Sequence, residues 1–206
     1  MKLVQIAGYL GSGKTTLIIA LSKSLSERGR KIAILVNDVG AVPVDGKVMQ
    51  EYGLTVKDIG GGCICCQVAG NMLKTLGLLA KGMNPDIIII EPTGMAVPNA
   101  IKKTVVDNTA GRIDISIGPT IVLFDTTREE KLLTYDTLKR LVTTQLLDAD
   151  IIALSKVDIT SEEAVAHARQ SVHRINPRAE IITVSTRTGE GLANLINAVQ
   201  EMTIQA

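Results

Sequence analysis

With 206 residues, 46% of them hydrophobic and 21% charged, the chain is long enough for one domain built around a large sheet and too apolar to stay disordered. A formal net charge of +1 with acids and bases interspersed excludes electrostatic attachment to a polyanion or an anionic membrane, and 2% aromatics with no Trp excludes stacking platforms for single-stranded nucleic acid. No apolar run approaches the roughly 20 residues of a membrane span, and Met1-Lys2 leads straight into an apolar segment without a leader pattern. The three cysteines, all between residues 63 and 66, do not make a disulfide framework of the secreted kind. The expectation is one cytoplasmic domain over residues 1–206, with no nucleic-acid or membrane partner.

Along the chain, short apolar runs alternate with helix-length amphipathic segments, the pattern of a parallel α/β sheet with helical crossovers. Strands are predicted at Lys2–Ala7, Lys31–Val36, Thr55–Ile59, Ile87–Ile90, Thr120–Phe124, Ile151–Leu154 and Glu180–Val184. They imply a mostly parallel central sheet of about seven strands with helices on both faces. The runs Ile32–Val36 and Ile87–Ile90 are apolar at consecutive positions, as strands covered on both faces must be. Helices are predicted over residues 14–28, 67–82, 96–106, 129–147, 161–175 and 190–202. Thr160-Ser-Glu-Glu163 reads as a capping box opening the fifth of these, and Pro177 follows its end. Residues 107–119, with Gly111, Gly118 and Pro119, read as a connection with little regular structure.

After the first predicted strand comes Gly8-Tyr-Leu-Gly11-Ser12-Gly13-Lys14-Thr15, then a helix. The pattern Gly-x4-Gly-Lys-Ser/Thr places glycines where backbone N–H groups turn inward around phosphate oxygens, a course that side chains obstruct. The following helix points its positive end at the same phosphates. Gly11, Ser12, Gly13, Lys14, Thr15 and Thr16 are therefore candidate nucleotide ligands. Lys14 is suited to the β- and γ-phosphates and the Thr15 hydroxyl to Mg2+.

Three later segments refine this site. Ser155-Lys156-Val-Asp158 follows a predicted strand and is close to the Asn-Lys-x-Asp of GTP-binding proteins. The acceptor-only carboxylate of Asp158 suits the N1–H and amino group of guanine, whereas adenine offers no matching pair of donors, so GTP is favoured over ATP. Serine at 155 instead of asparagine weakens the guanine contact and leaves the aspartate in place. The run Ser185-Thr186-Arg-Thr-Gly-Glu-Gly191-Leu192 resembles the loop that backs the guanine ring, which nominates Ser185 and Thr186. Glu91-Pro-Thr-Gly94 ends another strand with a carboxylate and a glycine where a switch loop senses the γ-phosphate. Glu91 is the candidate for positioning Mg2+ water or the attacking water.

Gly60-Gly-Gly-Cys63-Ile-Cys65-Cys66 holds every cysteine of the chain. Thiolates are soft ligands that suit zinc, cobalt, nickel or copper(I). In an extended segment Cys63 and Cys65 share a face while Cys66 points away, so a tetrahedral site needs a further ligand: Asp38, a water or a second copy of the chain. Such incompleteness suits transfer rather than storage. Two other readings stand beside this one, a redox dithiol of Cys63 and Cys66 and a structural metal clip. A P-loop kinase would need an acceptor pocket, for which no motif is visible. His167 and His173 fall on different faces of one helix and read as solvated rather than as ligands.

Taken in order, Gly8–Thr15, Asn37-Asp38-Val-Gly40, the cysteines, Glu91–Gly94, Gln145–Asp150, Ser155–Asp158 and Asn176-Pro177 resemble one family. It is the metal-trafficking P-loop GTPases that include the CobW proteins and the nickel-insertion GTPases of hydrogenase and urease maturation. The resemblance implies a P-loop fold of the SIMIBI kind and a metal site on Cys63, Cys65 and Cys66 that closes with GTP and Mg2+. Hydrolysis then opens that site for delivery to a metalloprotein client or a separate partner protein. It also implies that Lys14, Asp38 and Glu91 act in hydrolysis, that Asp38 is a candidate metal ligand, and that residues 37–46 and 60–66 form the switch. The chain departs from the family at Asp38, Val39 and Ala41, where the pattern is Asn-Glu-Phe-Gly-Glu, and at Ser155. The further C-terminal domain usual in CobW proteins is not expected within these 206 residues.

Overall fold

The computed structural model describes residues 1–36, 55–58, 67–109 and 113–204. In chain order the elements are β1 (Lys2–Gly8), α1 (Lys14–Glu27), β2 (Ile32–Val36), β3 (Thr55–Asp58), α2 (Gln67–Lys81), β4 (Ile87–Glu91), α3 (Pro98–Thr109) and β5 (Ser116–Asp125). They continue with α4 (Glu129–Thr134), α5 (Asp136–Leu147), β6 (Ile151–Ser155), α6 (Glu162–Ile175), β7 (Glu180–Val184) and α7 (Leu192–Glu201), with short 3-10 turns at Thr126–Arg128 and Val157–Ile159. The strands form one sheet in the order β3-β2-β4-β1-β5-β6-β7, and every neighbouring pair is parallel. Six strands make the body of the sheet, and the four-residue β3 pairs with β2 at its edge.

Successive strand residues point to opposite faces, and both faces are apolar. On one face Val4, Ile6, Ile34, Ile89 and Leu123 pack with Leu17 and Leu21 of α1 and Leu195 and Val199 of α7. On the other, Leu3, Leu35, Ile88 and Ile90 lie under Met72 and Leu76 of α2 and Ile101 and Val105 of α3. That face continues with Phe124, Ile152 and Leu154 under Leu132 of α4, Leu146 of α5 and Val172 of α6. This two-sided cover is why Ile87–Ile90 carries four isoleucines in succession. Among the described residues no helix is long and apolar enough to cross a membrane.

Three local expectations are corrected. β5 starts at Ser116 rather than Thr120, so part of the predicted connection is strand. Pro119 has no N–H for the ladder, and the register with β1 shifts between Leu3 and Gln5 to accommodate it. A Cβ at Gly118 would stand 2.8 Å from Val4 Cγ2, so the residues that resemble a turn serve a close strand approach. The helix predicted over 129–147 is two helices, because Tyr135 is extended (φ −73, ψ 117), ending α4 while its carbonyl accepts from Lys139 N at 2.8 Å to begin α5. The N-cap of α6 is Ser161, which accepts from Ala164 N. The hydroxyl of Thr160 donates instead to Lys156 O at 2.9 Å and meets Thr126 Oγ1 at 2.8 Å.

The strands deliver Gly8, Glu91, Asp125, Ser155 and Val184 to their carboxyl ends, the edge where open parallel sheets place ligands. Gly191 closes the last of these turns. Its φ is +72, and a Cβ there would lie 1.9 Å from Thr183 O. Gly191→Ala is expected to lower the unfolding free energy by about 2 kcal/mol or more, measured by urea denaturation. An unchanged midpoint would contradict this packing.

Candidate functional site

The loop between β1 and α1 depends on its glycines. Gly8 has φ +137, and a Cβ on it would stand 2.5 Å from Leu123 O; Gly13 has φ +98 and is the N-cap of α1. No side chain caps that helix and its first turn carries no acid, which leaves those amides suited to an external anion. Ser12 N donates to Tyr9 O at 3.2 Å, and Ser12 Oγ is buried without a hydrogen-bond partner among the described residues. Lys14 is buried, while Thr16 is exposed. Thr15 Oγ1 donates to Glu91 Oε1 at 2.8 Å, and Glu91 is only 2% exposed. The two predicted oxygen donors thus meet across 76 positions of sequence.

A carboxylate that the motifs did not nominate ties the site together. Asp125, at the end of β5 opposite Ser155, has a fully buried side chain. It accepts from Lys156 Nζ and Arg128 Nε, both at 2.7 Å, and from Thr127 Oγ1 at 2.6 Å and Thr127 N at 3.1 Å. Burial pushes this carboxyl upward, but the hydrogen bonds from Lys156, Thr127 and Arg128 overcome it and hold it below the ordinary carboxylate value. Arg128 also donates through Nη2 to Leu10 O at 2.8 Å, and Ser155 Oγ donates to Ser12 O at 2.9 Å. Two carbonyls of the phosphate loop are therefore held, one by Ser155 of the base loop and one by Arg128 of the turn after β5. Serine at 155 is buried, with its hydroxyl on that backbone. The only sequence signal for Asp125 was an acid closing an apolar strand.

Asp158 faces the same cleft. Its Oδ2 accepts from Arg187 Nε at 2.6 Å. Hydrogen bonds from Ser185 and then Arg187 hold its carboxyl below the usual range. Ser185 is 1% exposed and its Oγ also accepts from Arg187 N and Thr188 N. A cleft of about 330 Å³ brings Ser12, Gly13 and Thr16 together with Ser155, Lys156, Asp158 and Thr186. Gly11 lies under Arg128, whose Nη2 would be 3.3 Å from a Cβ placed there, and Gly94 packs on Leu10.

A larger cavity of about 700 Å³ lies among α4, α5 and α6 and contains none of the predicted site residues. His167, on its edge, is paired with Glu129 at 3.0 Å and is mostly exposed. Asp38, Cys63, Cys65 and Cys66 lie outside the described residues. Among the described residues no group of three or more His, Cys, Asp and Glu side chains is arranged to hold a metal.

A glycine loop between a central strand and a helix, a buried lysine, a strand-end glutamate bonded to Thr15 and an acidic base loop opposite define a P-loop nucleotide-binding domain. Residues 2–183 match the CobW/HypB/UreG nucleotide-binding domain, and the chain belongs to that family. It is 32% identical to the zinc chaperone YjiA of Escherichia coli K12 over 185 residues, 87% of this chain and 56% of YjiA. It is 28% identical over 226 residues to the zinc-regulated GTPase metalloprotein activator 1 of Dictyostelium discoideum, 93% of this chain and 47% of that protein. The chain thus spans about half the length of the curated relatives it matches. The structure of HypB from Helicobacter pylori in complex with nickel superposes with a TM-score of 0.71 at 21% identity, covering 97% of this chain and 85% of HypB, which establishes the shared fold.

The Asp125 pairing makes a pH-dependent prediction. Because its folded-state value is depressed, its contribution is complete above the unfolded value near 3.8 and is lost as pH falls through the lower folded value. Asp125→Asn should lower stability by about 3 kcal/mol at pH 7 and remove this component of the acid-side decline. Urea unfolding from pH 7 to pH 2 measures both effects, and parallel pH profiles for the two proteins would refute the assignment.

Proposed function

We propose that the chain is the GTP-binding and GTP-hydrolysing domain of a metallochaperone, one that takes a transition metal on Cys63, Cys65 and Cys66 and couples nucleotide state to its delivery. The observation that carries the nucleotide assignment is the shared cleft of Gly13, Thr16, Lys156 and Asp158. It sets an acceptor-only carboxylate opposite a phosphate cradle, the complement of guanine's paired donors. The cradle itself fits phosphate: its glycines take backbone angles that side chains disfavour, and the helix it opens has no internal cap.

Roles follow from donor chemistry. Lys14 would neutralise the terminal phosphates, and the oxygens of Thr15 and Glu91 suit the hard cation Mg2+. GTP supplies the phosphoryl group whose transfer to water drives the switch. Lys156 and Asp158 would take the base, with Ser185 and Thr186 behind it, while Ser155 braces the loop beneath.

The metal assignment is supported by relatives named as zinc chaperones, by a related fold crystallised with nickel, and by three neighbouring thiolates that suit either ion. Asp38 is the proposed additional ligand and the link to hydrolysis, with a second copy of the chain as the other source of that ligand. Connectivity supports the coupling: Val36 of β2 is in register with both Glu91 and Asp58. The strands that precede Asp38 and the cysteines in sequence therefore end level with Glu91, β2 on the neighbouring strand and β3 one strand further out. The released metal would pass to a metalloprotein client.

Displacement of a fluorescent GDP analogue tests the nucleotide assignment. GTP should outcompete ATP by on the order of a hundredfold or more, Asp158→Ala should collapse that ratio, and Lys14→Ala should weaken GTP roughly tenfold or more. Equal competition by ATP would sink the guanine assignment. In the GTP state, Zn2+ should protect the three thiols from titration; unprotected cysteines would defeat the metal assignment.

A further inference from the structure

The segment Gln145-Leu-Leu-Asp148-Ala-Asp150 belongs to the family resemblance but has no part in the cleft. Its polar side chains all hold the backbone of neighbouring elements. Asp148 Oδ2 accepts from Asn99 N in the first turn of α3 at 2.9 Å, and Asp150 Oδ2 accepts from Thr120 N of β5 at 2.9 Å. Gln145, 1% exposed near the end of α5, donates its amide nitrogen to Gly94 O at 3.1 Å and Ala96 O at 2.9 Å. The end of α5 is fixed in turn by Asn176, whose Nδ2 donates to Leu146 O at 2.8 Å and Ala149 O at 3.0 Å.

The turn that Gln145 grips is the one that follows Glu91. It is closed by Ala96 N donating to Thr93 O at 2.9 Å, and Met95 at its tip is 67% exposed. Its other side rests on the phosphate loop, since a Cβ at Gly94 would stand 2.7 Å from Leu10 Cδ2 and 2.9 Å from Leu10 N. The turn is therefore wedged between the phosphate loop and one buried amide group. In a trans peptide the C=O and N–H directions are opposed and coplanar. By holding the carbonyls of Gly94 and Ala96, Gln145 sets the direction of the Met95 and Val97 N–H groups. A leucine would fill similar space yet leave both carbonyls without this donor.

We propose that Gln145 is a positioning residue for GTP hydrolysis, fixing the Gly94–Val97 turn against the phosphate loop so that Glu91 and the turn's amides stand where the terminal phosphate arrives. The inference rests on the GTPase reading above and adds to it a residue remote from the nucleotide cleft. Misplacing a catalytic element by about 1 Å lowers rates by as much as a hundredfold, whereas GDP, which lacks the terminal phosphate, should not sense the turn.

The test compares wild type with Gln145→Leu for single-turnover GTP hydrolysis, GDP affinity and amide exchange of the 91–97 peptide. The expected result is a rate lower by on the order of tenfold or more, GDP affinity within about twofold, and faster exchange across the turn. An unchanged rate would overturn the proposal, as would rate and GDP affinity falling together, which marks a merely structural role. If Gln145→Leu does not fold, Gln145→Met, which also lacks the donor, is read by the same criteria. A wild type that fails to hydrolyse GTP overturns the proposed function and, with it, a hydrolytic role for Gln145, whereas a hydrolysing wild type with an unaffected variant overturns the positioning claim alone.

Discussion

A fully buried carboxylate must be matched by cations or it unravels its surroundings, and Asp125 is matched by two. One cation, Lys156, belongs to the base loop, and the other, Arg128, reaches onward to Leu10 in the phosphate loop. The electrostatic requirement of one side chain thus becomes a geometric constraint on two loops that approach each other from different strands. Ser155 adds a neutral strap from the same side by donating to Ser12 O. A glycine-rich loop has little stiffness of its own; these contacts supply it, and they do so from the side of the Ser155–Asp158 loop, so the proposed base and phosphate sites share one frame.

The opposite wall of the phosphate loop is built differently. There Thr15 meets Glu91, and the turn after Glu91 is held by Gln145. The base side is tied by ion pairs around a buried charge; on the Glu91 side the hydroxyl of Thr15 donates to that buried carboxylate and the amide of Gln145 donates to the turn. Hydrogen bonds donated by neutral groups, about 1 kcal/mol each and somewhat more to a carboxylate, can be exchanged for contacts to a terminal phosphate more readily than a buried ion pair can be broken. On the proposed reading, this asymmetry suits a domain that binds both GTP and GDP yet changes only at the end where they differ. The register of Val36 with Glu91 and Asp58 carries that end towards the departure points of the Asp38 and cysteine segments.

What was legible in the sequence was local. The glycine loop, the Ser155–Asp158 loop and the strand-end Glu91 are recognised because the defining residues of each lie within a few positions of one another, at the end of an apolar run. The parallel sheet was legible because two-sided burial demands continuous apolar runs such as Ile87–Ile90. Asp125 and Arg128 gave no such signal, and Gln145 stood in a recognised segment without a role, for they act across the fold on backbone carbonyls and charges contributed by distant elements. Ser155 was read as a weakened base contact; that its hydroxyl also reaches the phosphate loop, across the fold, had no signal in the spacing. The turn-like Gly118-Pro119 hid a strand because its purpose is the close approach to Val4, and Tyr135 broke a periodic helix without any proline or glycine to announce it.

The central claim is that the nucleotide site and the cysteines form one thermodynamic system. Linkage then requires that GTP change metal affinity by the same factor as metal changes GTP affinity. The most direct measurement is Zn2+ affinity by competition with a chromophoric chelator, in Mg2+, with a non-hydrolysable GTP analogue and with GDP. The account predicts tighter Zn2+ binding in the triphosphate state, by roughly fivefold or more. Equal affinity in the two nucleotide states would contradict it.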